Sequence, residues 1–327
     1  MTTLEHDRLV FRFPEVHEDA CCAIDFQRTL RLPDDDREHL LPPGLGSFPL
    51  RHVDDFSHRL PPNWHDRGGV FFPIHRAEAM WVNFSADDYP FAVKVAAGKV
   101  NAVTGEPWAP QLNRDPQDYA VLPRQPWLDG FCVEKGVIRQ FVAAQLGEGA
   151  TAEEQITGNG EHGGLQFIVY PMKADRYEEI RRQRQQMMED RVMYSARRSV
   201  MHGIPDLVED MDMGMAPGGR MRQEIYEDEH GLDTWDQRHG QRCFVAMADA
   251  LLWEAITDEQ PPTEPPTAED YNLAGLPWFD YYDDKAAALE GAEKLAHLKS
   301  IRDTLLKGIP RAEARVRHVG PSRRPRP

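Results

Sequence analysis

The chain has 327 residues, 41% of them hydrophobic, and its 38 basic and 54 acidic side chains give a formal charge of −16. That balance repels phosphate backbones and anionic lipid surfaces, which argues against nucleic acid and membrane as general partners. The length favours two domains, or one with large appendages, and 26 prolines with 24 glycines point to long connections.

The opening residues, MTTLEHDRLVFRF, are charged early and lack an apolar h-region, so no secretory leader is expected. No apolar run reaches the roughly 18 residues needed to cross a bilayer. Cys21, Cys22, Cys132 and Cys243 show no CxxC spacing. A disulfide framework or structural zinc site is therefore not expected, and buried, reduced thiols in a cytoplasmic protein are.

Residues 8–13 begin a series of strand candidates. Next, Ile24, Phe26, Leu30 and Leu32 share one parity against Asp25, Gln27, Thr29 and Arg31, which predicts a strand with one wet face. A loop rich in Pro and Gly follows, then short apolar runs at 48–53, 70–74, 80–84, 91–96 and 100–104, with Gly98 marking a tight hairpin. Two denser runs, 137–146 and 165–170, read as buried strands, with Trp127, Phe131, Phe141, Phe167 and Tyr170 as large core side chains. About nine or ten such strands imply an antiparallel β-sandwich or barrel-like domain over residues 8–172.

The pattern changes at Asp175. Residues 175–200 combine an acidic N-cap, strong helix formers and a thin apolar stripe, predicting a helical connector arm. Residues 201–310 read as a helical or irregular C-terminal region packed on the β domain. It holds a Met-rich loop at 201–219, a helix over 234–256 with Phe244, Met247, Leu251 and Leu252 on its apolar face, and a proline-rich spacer at 258–267. After the aromatic cluster Trp278, Phe279, Tyr281 and Tyr282 comes a last helix over 292–307 carrying Leu295, Leu298, Ile301 and Leu305. Six arginines among residues 311–327 form a basic, disordered tail on composition. The expected fold class is thus α+β, a β-rich N-terminal domain with an α-helical C-terminal extension.

No motif for chemistry passes a check of its context. Gly158–Gly163 satisfies GxGxxG, but a strand-like run follows it where a dinucleotide site needs a helix, so a hairpin loop is the better reading. Glu161 and His162 in that loop are still ionisable groups among glycines, and with Asp129 in RQPWLDGF they are the catalytic candidates. His52, Asp54, His58 and His65 carry ligand chemistry suited to zinc, iron or manganese, at a spacing that matches no metal signature. Cys132 in GFCV reads as a small core hydrophobe, and Met211, Met213 and Met215 as adaptable packing rather than a Cu(I) site. No motif specifies a cofactor. The function these features favour is a soluble binding or assembly protein that contacts a protein partner, or a second copy, through β-domain loops and the helical arm. The competing expectation is a small-molecule enzyme or ligand-binding protein, metal-dependent or not, with its site at the loop end of the β domain.

Overall fold

A computed structural model describes residues 1–35, 37–191, 213–262, 264 and 287–305. In chain order the strands are β1 Thr2–Glu5, β2 Arg8–Arg12, β3 Cys21–Thr29, β4 Glu38–His39, β5 Gly44–Ser47 and β6 Arg51–His52. They continue with β7 Val70–Pro73, β8 Ala79–Ala86, β9 Phe91–Ala97, β10 Val100–Asn101, β11 Ala120–Leu122 and β12 Trp127–Leu128. The last five are β13 Gly130–Glu134, β14 Val137–Gln145, β15 Leu165–Pro171, β16 Met213–Arg222 and β17 Gln241–Ala248. The helices are α1 Pro62–Arg67, α2 Ala152–Thr157, α3 Ala174–Arg191, α4 Ala250–Thr257, α5 Glu293–Ala296 and α6 Ile301–Leu305.

The described chain is β-rich and forms two mixed sheets. One has ten strands with the path β1-β2-β3-β8-β14-β16-β4, and the other has seven with the path β10-β9-β15-β17-β7-β6. Pairing is mostly antiparallel, as expected, but β16 runs parallel to β4 and β17 parallel to β7. The Gly98 hairpin forms as predicted, pairing Val100 with Ala97 around a left-handed glycine (φ 57°).

Facing side chains of the two sheets share one core. Phe26 of β3 stacks on Phe72 of β7 with ring centroids 5.2 Å apart and meets Phe167 of β15 at 5.6 Å, and Phe48 meets Phe72 at 4.7 Å. Alternation along β3 explains this: Cys22, Ile24 and Phe26 enter the core while Asp25 and Gln27 turn to the other face. On the far side of the seven-stranded sheet, Phe71, Phe244, Ala246 and Ala248 form a second cluster with Trp64 of α1 and Trp253 and Ile256 of α4.

Two sequence expectations change here. Residues 234–256 are not one helix: 241–248 is the strand β17, and only 250–257 is helical, capped by Asp249 accepting the Leu252 N–H at 2.9 Å. Cys243, Val245 and Met247 enter one core and Phe244, Ala246 and Ala248 the other, so the strand is apolar on both faces and its two-residue period is hidden. Likewise Met213, Met215 and Met221 are buried in β16 rather than in a loop, while 201–212 lie outside the described residues. The sheets therefore do not end at residue 172. β16 lies beside β14, and β17 lies between β15 and β7.

The last helix is broken into α5 and α6. Ser300 Oγ accepts the Asp303 N–H at 3.2 Å and restarts the turn, while Leu295, Leu298 and Ile301 are buried as predicted. The spacer beyond 264, the aromatic cluster at 278–282 and the basic tail lie outside the described residues.

Candidate functional site

A cleft of about 580 Å³ opens between the 103–117 loop and an extended segment, residues 287–292, that leads into α5. Both walls are held firmly. Asn101 Oδ1 accepts the Val103 and Thr104 N–H groups at 2.9 and 3.0 Å and closes the turn after β10. Lys94, 1% exposed, donates to the Ala109 carbonyl at 2.8 Å and to Asp118 Oδ2 at 2.6 Å, fixing the rest of the loop from below. On the opposite wall, Leu289 N–H donates to the Ile225 carbonyl at 2.7 Å and Ala292 N–H to the Cys132 carbonyl at 3.0 Å. Only glycine fits at 291, where a Cβ would stand 2.1 Å from the Glu134 Cα. Lys294 Nζ reaches across to Glu106 Oε2 at 2.6 Å.

A row of buried amides starts at the cleft with Gln117 and runs on behind it. Gln117 Nε2 donates to the Tyr119 and Tyr226 carbonyls at 2.8 and 3.1 Å, and its Oε1 accepts the Asp228 N–H at 2.8 Å. Gln125 repeats the device one step along, donating to the Trp127 and Glu224 carbonyls and accepting the Tyr226 N–H. Gln223 completes the row, accepting the Asp129 N–H at 3.0 Å and donating to Asp129 Oδ2 at 2.6 Å. These side chains do what a backbone ladder does between strands, so two extended segments are joined without strand geometry. Asp228 Oδ2 accepts the Tyr119 hydroxyl at 2.6 Å and the Trp235 indole N–H at 3.0 Å. Burial, and then the Asp228 carboxylate, push the Tyr119 phenol well above its ordinary range.

The charge of the cleft is lopsided. Glu106, Asp115, Glu227, Asp228, Glu290 and Glu293 line it, against Arg114 and Lys294. Glu106 is paired with Lys294 and Glu290 with Lys135, and Arg114 Nη2 donates to the Asp228 carbonyl. Asp115, Glu227 and Glu293 form no ion pair with a described lysine or arginine.

The residues singled out in the sequence fall in different places. Asp129 is buried against Gln223, its carboxyl raised to about 7 by desolvation, against the lowering effect of Gln223 and Trp127. Glu161 is exposed. His162 is half-buried, its Nδ1 2.8 Å from Glu153 Oε1. The Glu153 carboxylate, 3% exposed, also accepts the His162 and Gly163 N–H groups at 3.3 and 2.9 Å, clasping the glycine loop. His52, Asp54, His58 and His65 are all exposed around α1 and the turn before it. Among the described residues no three His, Cys, Asp or Glu side chains are arranged to hold a metal ion. Cys132 is buried and its thiol is pushed up to about 12 by desolvation, which suppresses the nucleophilic thiolate.

Glu153, Asp228 and Gln117 were not singled out in the sequence. TAEEQ carries a visible capping box, with Thr151 and Glu154 bonding each other's N–H, but nothing in it marks its middle residue as a partner for a histidine nine positions later. No family model matches this chain, and neither the curated proteins nor the solved structures yield a match. Among the described residues no helix is long and apolar enough to cross a membrane.

Proposed function

We propose that this is a cytoplasmic binding and assembly protein, a β-sandwich body whose acidic cleft captures a cationic segment of a protein partner. The observation that carries the reading is the cleft itself. Its volume suits a bound side-chain cluster, its walls are fixed in advance, and three carboxylates line it without a lysine or arginine partner among the described residues. Val103, Pro116, Leu289 and Ala292 supply an apolar surface for the stems of lysine or arginine. The helical arm is a second contact device. α3 is anchored at its start by Tyr177, whose ring lies 4.3 Å from Tyr89 and 5.0 Å from His17, and residues 181–184 farther along are exposed.

Titration of the whole protein with a lysine-rich peptide, followed by calorimetry, tests the cleft. Binding should weaken steeply with salt, because exposed charges are screened within about 8 Å at physiological ionic strength. The double change Glu227→Gln and Glu293→Gln should reduce affinity by about tenfold, or ~1.4 kcal/mol. An unchanged affinity in that variant removes the cleft from the argument.

A second reading, a small-molecule enzyme, is favoured by the Glu153–His162 contact. A carboxylate on Nδ1 fixes the imidazole tautomer and leaves Nε2 as the basic nitrogen, an arrangement suited to proton transfer. Loss of a detected turnover in both His162→Ala and Glu153→Gln would favour this reading over the first.

A further inference from the structure

The glycine loop clasped by Glu153 closes one side of a basic patch on the outer face of the seven-stranded sheet. Arg67, at the end of α1, donates from Nη1 to the His162 carbonyl at 2.8 Å and from Nη2 to the Glu161 carbonyl at 3.3 Å. Its guanidinium sits 5.0 Å above the Phe244 ring. Arg242 lies two residues before Phe244 on β17, hence on the same face of the sheet, and is exposed. The Phe244 ring packs so close to Gly164 that a Cβ there would stand 3.1 Å from it. Gly164 in turn accepts the Gly98 N–H at 2.9 Å, which brings the neighbouring Lys99 to the same spot.

Three cations thus lie close together, Arg67 over the Phe244 ring and Lys99 within electrostatic reach of both Arg67 and Arg242, in a chain whose formal charge is −16. None of them forms an ion pair with a described carboxylate. Glu153, the nearest buried acid, is occupied by His162 and two backbone N–H groups, and Glu161 and Asp66 are exposed and unpaired with any of the three. Burial, then Arg67 and Arg242, lower the Lys99 ammonium from its ordinary value, and the Glu153 carboxylate offsets them only in part. A convergence of like charge costs stability unless a counter-ion offsets it. The Arg242 guanidinium fork, the N–H groups that Arg67 keeps beyond its two loop carbonyls, and the Lys99 ammonium suit the tetrahedral oxygens of a phosphate better than a single carboxylate.

We propose that Arg67, Lys99 and Arg242 form a binding site for a phosphate dianion, free or carried as a monoester on a small ligand. The site is separate from the acidic cleft and attracts the opposite charge.

The full-length protein is titrated with inorganic phosphate and with phosphoserine, each against sodium chloride of equal ionic strength, by thermal shift and calorimetry. Saturable stabilisation by both phosphates, absent with chloride, is expected, and the two should compete for one site. Tighter phosphoserine identifies an ester as the ligand, and tighter inorganic phosphate the free ion. Arg242→Ala and Lys99→Met should each weaken binding by at least about tenfold, while Arg176→Ala on α3 leaves it unchanged; circular dichroism confirms that each variant is folded. Equal stabilisation by chloride, or variants that bind as the parent does, would mean an adventitious ion only and overturn the site.

Discussion

Asp129 shows how one buried carboxyl makes stability depend on pH. Its folded value of about 7 lies above the unfolded range near 4, so between those limits the unfolded chain has released a proton that the native state keeps. The native state is therefore favoured below about pH 4 by this group, and that contribution is lost as pH rises toward 7, at roughly 1.4 kcal/mol per unit. Asp129→Asn keeps an oxygen for Gln223 and removes the titration. Its stability, measured by urea unfolding across that window, should fall less steeply with pH than the parent's. Glu153 acts by a different route, because its oxygens accept three hydrogen bonds from one loop. Glu153→Ala is expected to cost about 5 kcal/mol and to speed hydrogen exchange at His162 and Gly163, since each of the three bonds to this charged group is worth at least about 1.5 kcal/mol. His162→Ala, which removes one of the three, should cost about a third as much. His162 was legible in the sequence as an ionisable group among glycines. Its partner was not, because only the fold brings position 153 beside it.

Elements in this chain are held by close backbone approach and by side-chain amides as much as by ladders. Gly130 lies so near β14 that a Cβ would stand 1.9 Å from the Arg139 carbonyl oxygen. Gly130→Ala should therefore destabilise by several times more than Gly147→Ala. The latter position has a left-handed φ of 93° but nothing within 4 Å, so it carries only the backbone strain of about 1 kcal/mol. Chemical denaturation of the two variants side by side measures the contrast. Gln125→Leu would remove three hydrogen bonds, to the Trp127 and Glu224 carbonyls and from the Tyr226 N–H, a loss of about 3 kcal/mol at roughly 1 kcal/mol each. The strands at 8–12, 91–97, 137–145 and 165–171 were readable from short apolar runs bounded by turn residues. β17 was not, because a strand buried on both faces presents the same apolar density as a buried helix. The glutamine row was invisible for another reason: Gln117, Gln125 and Gln223 look like ordinary polar loop residues until a second segment is laid beside them.

Across the whole molecule, the late strands are interior parts of the sheets. A chain ending at residue 172 would lose β16 from the side of β14 and β17 from between β15 and β7, leaving apolar ladder edges open. It is expected to aggregate and show no cooperative unfolding by circular dichroism, whereas an independent front domain would unfold reversibly. By itself the sequence determined the β-rich character, most of the early strands, the hairpin at Gly98 and the net acidity. These follow from local periodicity, turn chemistry and summed charge, which need no knowledge of the fold. Only the tertiary structure decided where β16 and β17 insert, which carboxylates line a common cleft and that Arg67 sits over the Phe244 ring. Contacts between residues a hundred positions apart depend on strand order, and strand order leaves no trace in the local pattern of a single chain.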